Sequence, residues 1–183
     1  MVIDVRTPEE FRREHLPQAV NLPLGDLVEG APSPGLARGG ESAALDRLRT
    51  WAADHLHEYE DRHNDLPGDA TSHISAHLHF GCLSPLEVAT RLRDRPGGGP
   101  FVRQLCWRDF YHQALAGRPE TAHEDYRPRG DHWRDDPTDL AAWAEGRTGF
   151  PIVDAGMRQL LDEGFMHNRT RMIVASFLPK DLY

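Results

Sequence analysis

Lysine is nearly missing from this chain: Lys180 stands alone against twenty arginines. Arginine suits two-pronged contacts to phosphate and carboxylate, but a genome-wide codon bias gives the same skew and weighs more as its cause. Cysteine is scarce too. Cys82 and Cys106 are spaced like no disulfide framework and no zinc motif, so both read as buried apolar thiols. No apolar run approaches the roughly 18 residues that span a bilayer. The opening MVIDVRTPEE carries acids where a targeting peptide carries basic and apolar blocks. A soluble, cytoplasmic protein is expected. With 39% hydrophobic and 27% charged residues, the 183-residue chain has material for one core; collagen, low-complexity and fully disordered classes are excluded.

The net charge of −8 argues against nonspecific coating of nucleic acid. The charge is uneven, however. Residues 1–70 hold 7 basic and 14 acidic side chains, and the remainder 14 and 15, so a local basic surface is compatible with the second part.

Two grammars follow one another along the chain. Val2 to Val5 reads as a short buried strand, Thr7-Pro8-Glu9-Glu10 as a capped helix start, and Ala19 to Leu24 as a return strand. This α/β opening gives way at residues 29–40, rich in Gly, Pro and Ala, to a linker. Beyond it the periodicity is helical. Leu45, Leu48, Trp51, Ala52, Leu56 and Tyr59 form one stripe on a helix of about five turns. Ser84-Pro85-Leu86-Glu87 predicts a capping box opening a helix to about Arg93. Pro100 opens a helix through Leu115, Asp136 caps a short one carrying Trp143, Pro151 starts another ending near Gly164, and a last helix runs from about His167 to Phe177. The expected class is mainly α: an all-α segment 41–183 behind a short α/β segment 1–28.

Two stretches concentrate polar and aromatic residues within apolar helices, residues 103–111 and residues 146–172. At helical spacing Gln104, Arg108 and Tyr111 share a face, as do Asn168 and Arg171. One reading is a bundle whose long side chains snorkel from core to water. The other is a cavity between helices, lined by amide, guanidinium and indole groups, that holds a large planar ligand. His73, His77 and His79, with His55 and His57 nearby, offer imidazoles for a metal, but eleven histidines make such clusters easy to find by chance and no metal is expected.

The runs VIDVRTPEEF and HLPQAVNLP resemble the beginning of a rhodanese-like domain. Neither cysteine sits where a sulfurtransferase keeps its nucleophile, so that chemistry is not expected. From Gly40 onward, the ordered runs ATSHISAHLHFGCLSP, VRQLCWRDFYHQ and GRTGFPIVDAGMRQLLDEGFMHNRTRMIVASFLPKDL resemble the DNA photolyase and cryptochrome family. The resemblance implies a partial helical FAD-binding domain. It places FAD contacts at Tyr59, Thr71, Ser72, His73, Ile74, Ser75, Phe101, Arg108, Asn168 and Arg171, the last pairing with a flavin-contacting carboxylate. Short hydroxyls and backbone amides in a Thr-Ser-X-X-Ser loop suit a diphosphate. The implied reaction is light-driven electron transfer from reduced FAD that splits cyclobutane pyrimidine dimers in DNA. Trp107 would stack on the flipped lesion, with Gln104, Arg108, Tyr111 and Asn168 beside it. Trp107, Asn168 and Gln104 are the expected catalytic residues, and Trp133 the surface member of a tryptophan chain that reduces the flavin.

The chain departs from the family in places. Gln104 stands where photolyases commonly carry glutamate, and Phe165 where tryptophan is common. The family's antenna domain and its later Asp-X-Asp segment have no counterpart here, so about half of the flavin cavity is expected, with weak FAD binding and no antenna chromophore unless a separate polypeptide completes the domain. The alternatives are a cryptochrome-type blue-light sensor and a gene fragment without bound FAD.

Overall fold

The computed structural model describes Val2–Asp4, Ala19–Asn21 and residues 33–130 and 136–182. The helix start at Thr7 and the tryptophan at Trp133 lie outside these residues. The chain divides into two compact units, Met1–Ser33 and Pro34–Tyr183.

In the first unit, β1 (Val2–Asp4) and β2 (Ala19–Asn21) pair in parallel, Val2 opposite Ala19, Ile3 opposite Val20 and Asp4 opposite Asn21. Apolar and β-branched residues favour this pleated pairing. Parallel neighbours require a crossover, as an α/β opening does.

Among the described residues of the second unit, every secondary-structure element is helical. Helix α1 (Glu41–Asp54) buries Ala44, Leu48, Trp51 and Ala52 on one stripe. The expected five-turn helix does not continue unbroken to Tyr59. His55, at φ −127°, leaves the helical region, a 3-10 turn covers Leu56–Glu58, and α2 (Tyr59–Arg62) follows. Beside the break Gly97, at φ +77°, approaches the Leu56 carbonyl so closely that any Cβ there would collide with it, which requires glycine at that position. Leu56 and Tyr59 nonetheless stay buried, so the apolar spacing survives a change of helix type.

A short helix, α3 (Ser75–His79), carries no strong sequence signal. Helix α4 (Pro85–Leu92) starts where expected, but the capping box is not formed: Ser84 makes no side-chain cap bond and Glu87 pairs with Arg91 at 2.6 Å. Proline at the first helical position, with its backbone angle already suited to the helix, marks the start instead. Helix α5 (Gly98–Gly117) is longer than the Pro100 start implies. A 3-10 turn, Pro119–Ala122, follows. Helix α6 (Pro137–Ala144) is capped by Asp136, whose Oδ1 accepts from the Thr138 and Asp139 amides at 2.9 and 3.2 Å. Helix α7 (Pro151–Glu163) stops at Gly164, φ +63°, and α8 (Asn168–Phe177) runs into a π-helical turn, Leu178–Leu182.

Two apolar clusters result. The first joins α1, α2, α3, α4 and the start of α5 around Trp51, Tyr59 and Phe101, whose rings meet at centroid distances of 4.7 to 5.8 Å. The second packs α7 on α8 through Val153, Met157, Met166, Val174 and Phe177, with Trp143 donating from Nε1 to the Val174 carbonyl at 3.1 Å. Leu105 is the last core residue of α5. Cys106 beyond it is exposed and Cys82 only half-buried, so the expectation of two buried thiols fails. No helix among the described residues is long and apolar enough to cross a membrane.

Candidate functional site

The loop before α3 hangs from α1. Trp51 Nε1 donates to the Ala70 carbonyl at 2.8 Å and Arg47 Nε to the Ser72 carbonyl at 3.1 Å. Between these ties the Thr71 Oγ1 is buried without a hydrogen-bond partner. Thr71 lines a hollow of about 160 Å³ together with Arg47, Thr50, Asp54 and Asp69. That volume falls short of complete small-molecule sites, which run to about 300–1,000 Å³. Ser72 and Ile74 are buried and Ser75 is exposed. His73 adopts φ +54°, its ring lies on Phe165 at 3.9 Å, and its Nε2 reaches Asp69 Oδ1 at 2.5 Å.

Tyr59 and Phe101 meet edge-on at 5.1 Å inside the first core. Burial pushes the Tyr59 phenol up to about 12, so it stays protonated. Both form a wall of the core beneath the loop.

The outer half of α5 is different. Trp107 is 55% exposed, Phe110 55% and Tyr111 63%. Trp107 stacks on Tyr111 at 6.1 Å and meets Phe110 edge-on at 5.7 Å. Gln104 is exposed, one turn before Trp107. Arg108 is partly buried and pairs with Asp109 at 3.3 Å. The sequence reading missed Phe110, although its spacing of three from Trp107 signals the contact.

Asn168 begins α8 and is exposed. Arg171, expected to pair with a carboxylate, donates from Nε to the Met166 carbonyl at 2.9 Å. The turn before α8 meets the first cluster: His167 Nε2 lies 3.0 Å from the His63 carbonyl and Arg169 Nη2 2.8 Å from Asn64 Oδ1. The fold thus joins the segments carrying Tyr59, residues 71–75 and Phe101 to the turn that carries Asn168. Among the described residues, no hydrogen bond, ion pair or ring contact joins Gln104, Trp107, Arg108 or Tyr111 to Asn168 or Arg171. His167 was also missed; a histidine just before a helix is read as exposed unless its tertiary partner is seen. Near the start of α7, Asp154 accepts from Thr148 Oγ1 at 2.6 Å and from the Thr148 and Gly149 amides at 2.7 and 3.0 Å, bonds that hold its carboxyl below the usual range.

Among the described residues no group of three or more His, Cys, Asp or Glu side chains could hold a metal ion. The imidazoles are dispersed: His73 lies on Phe165, His77 is buried and His79 meets Phe80 edge-on.

Residues 101–183 match the FAD binding domain of DNA photolyase, and residues 1–68 match the rhodanese-like domain, the latter overlapping α1 and α2. A deoxyribodipyrimidine photo-lyase of Streptomyces griseus is 52% identical over 181 residues, covering 98% of this chain and 38% of that protein. A bacterial class III photolyase from Agrobacterium tumefaciens superposes with a TM-score of 0.71 at 41% identity, over 76% of this chain and 30% of the other. A Synechocystis cryptochrome superposes at 0.74 and 32% identity, over 85% and 35%. The chain thus spans well under half the length of these relatives. With the ordered motifs from Gly40 onward and the helical arrangement they adopt, residues 101–183 carry part of the FAD-binding domain of DNA photolyase, and the chain is similar to photolyases and cryptochromes.

Proposed function

We propose that this chain is the part of a photolyase-like flavoprotein that grips one side of FAD and presents an aromatic surface to damaged DNA. The residues fit the cofactor at one testable point: the buried Thr71 hydroxyl has no partner within the protein, a costly state that a bound phosphate oxygen would relieve. Thr71, Ser72, His73, Ile74 and Ser75 would hold the diphosphate, Tyr59 and Phe101 back the loop, and Arg108, Asn168 and Arg171 meet the flavin. FAD, when bound and reduced, supplies the photoexcited electron that splits a pyrimidine dimer and is then recovered.

The chain's own residues bind and orient. Trp107 offers an exposed indole face, steadied by Tyr111, on which an extruded base pair can stack. This exposed stacked pair is the observation that carries the reading, because a large aromatic surface on a folded chain marks an interaction site. Gln104, one turn away, supplies an uncharged amide that donates and accepts hydrogen bonds to the lesion. Trp133 would pass electrons to the flavin. The partner is DNA containing pyrimidine dimers, met in the cytoplasm.

The test is repair of dimer-containing DNA under blue light after reconstitution with FAD, in wild type and Trp107→Ala. Dimer loss that needs Trp107 supports the lyase. Flavin photoreduction without dimer loss selects the light sensor, and absence of both overturns the reading.

A further inference from the structure

Four side chains close a ring of hydrogen bonds between α2 and α8. His167 Nε2 lies 3.0 Å from the His63 carbonyl, and its Nδ1 accepts from the Arg169 amide at 3.1 Å. The Arg169 guanidinium donates to Asn64 Oδ1 at 2.8 Å, and Asn64 Nδ2 donates to His63 Nε2 at 3.1 Å. His63 Nδ1 faces the Tyr59 and Glu60 carbonyls at 3.0 and 2.9 Å. These partners assign the ring protons: His63 carries one on Nδ1, and His167 carries one on Nε2, so its Nδ1 is left to accept and its ring is neutral.

We propose that this ring is a pH-sensitive clasp in which His167 acts as the positioning residue for Asn168, holding the first turn of α8 to the end of α2 when neutral and releasing it when protonated. The inference rests on the flavin reading for its consequence, but the clasp itself is a property of the apo chain.

The chemistry allows little compromise. A proton on His167 Nδ1 would set an N–H against the Arg169 N–H and remove the side-chain cap of α8. Asn168 lies between the two residues that make this cap, so it moves with it. The groups facing His167 are His63, Asp69, His73 and Arg169, and burial is the main influence, lowering its affinity for a proton. A neutral histidine with a folded pKa below the ordinary 6.5 is fully accommodated above that value. The clasp therefore holds at neutral pH and yields as the pH falls below 6.5 towards the folded value.

The experiment follows 15N resonances of the 183-residue chain between about pH 8 and about pH 5, reading the His167 ring, the Asn64 side-chain amide and the Asn168 and Arg169 backbone amides. One shared transition across these groups is expected. Two variants separate its parts. His167→Asn keeps an acceptor for the Arg169 amide but cannot reach His63, so the Asn64 and Asn168 transitions vanish while Arg169 stays capped. Asn64→Leu breaks the ring at an exposed point without disturbing the buried histidine, and shifts Asn168 at neutral pH. Amides of Asn64 and Asn168 that ignore pH, or a transition that persists in His167→Asn, overturn the proposal. FAD titration at both pH limits is read separately. Wild type is expected to bind about three- to tenfold more weakly in acid, and His167→Asn without that difference. A shared amide transition with no FAD binding at either pH supports the clasp and overturns the flavin reading alone.

Discussion

His73 lies nearly flat on Phe165, ring centroids 3.9 Å apart and planes inclined by 19°. The contact joins the loop of Thr71 and Ser72 to the turn that leads into Asn168. It also accounts for the left-handed backbone at His73, φ +54°, since an L-residue adopts that conformation at a cost that its surroundings must offset. Here the stack and the hydrogen bond to Asp69 do so.

Thr71→Val removes a buried hydroxyl that has no partner while keeping the shape of the side chain. The apo chain should gain about 1 kcal/mol in urea denaturation, because an unsatisfied buried group costs about 1–3 kcal/mol. FAD affinity should fall at the same time. A variant less stable than wild type would show that the hydroxyl has a partner in solution.

Trp107→Ala should leave stability within about 0.5 kcal/mol of wild type, because the ring is largely exposed. Binding of dimer-containing DNA should weaken by about 1–3 kcal/mol, the range for removal of one base-stacking platform. Fluorescence-anisotropy titration, compared with thermal melting, separates the two effects.

Gly156→Ala tests the packing of α7 on α8. A Cβ at this position would crowd the Thr170 Cγ2 and lie 3.0 Å from the Val174 Cγ2, so the two helices must part. A loss of about 1–3 kcal/mol is expected in chemical denaturation. Unchanged stability would show that α8 shifts without strain.

Asp154 gives the chain a carboxylate sensitive to acid. Its folded pKa lies below the ordinary 3.8, chiefly through the Thr148 side chain and then the Thr148 and Gly149 amides. The unfolded chain therefore binds the proton more readily, and the contribution is complete above 3.8 and lost as the pH falls through the folded value. Denaturation midpoints measured through that range should decline, and Asp154→Asn should flatten this part of the profile.

Much of the helical architecture can be read along the chain. Pro85, Pro137 and Pro151 mark helix starts and Gly164 a stop, because these signals act through local backbone geometry. The family motifs are equally local and mark Thr71, Trp107 and Asn168 as candidate site residues without any fold. Other features depend on residues distant in sequence. The need for glycine at position 97 comes from the Leu56 carbonyl packed against it, 41 residues earlier in the chain. The exposure of Cys106 comes from α5 leaving the core after Leu105, although the apolar composition of the helix continues.

By itself the sequence determined several helix starts and stops, the paired grammars of its two ends and the family it resembles, since each is encoded in neighbouring residues. Only the tertiary structure decided that the Thr71 hydroxyl is buried without a partner, that Trp107 and Tyr111 stand in solvent, and that His63, Asn64, His167 and Arg169 close one ring. Those outcomes depend on which surfaces meet across a hundred residues of chain, and a one-dimensional pattern does not specify such meetings.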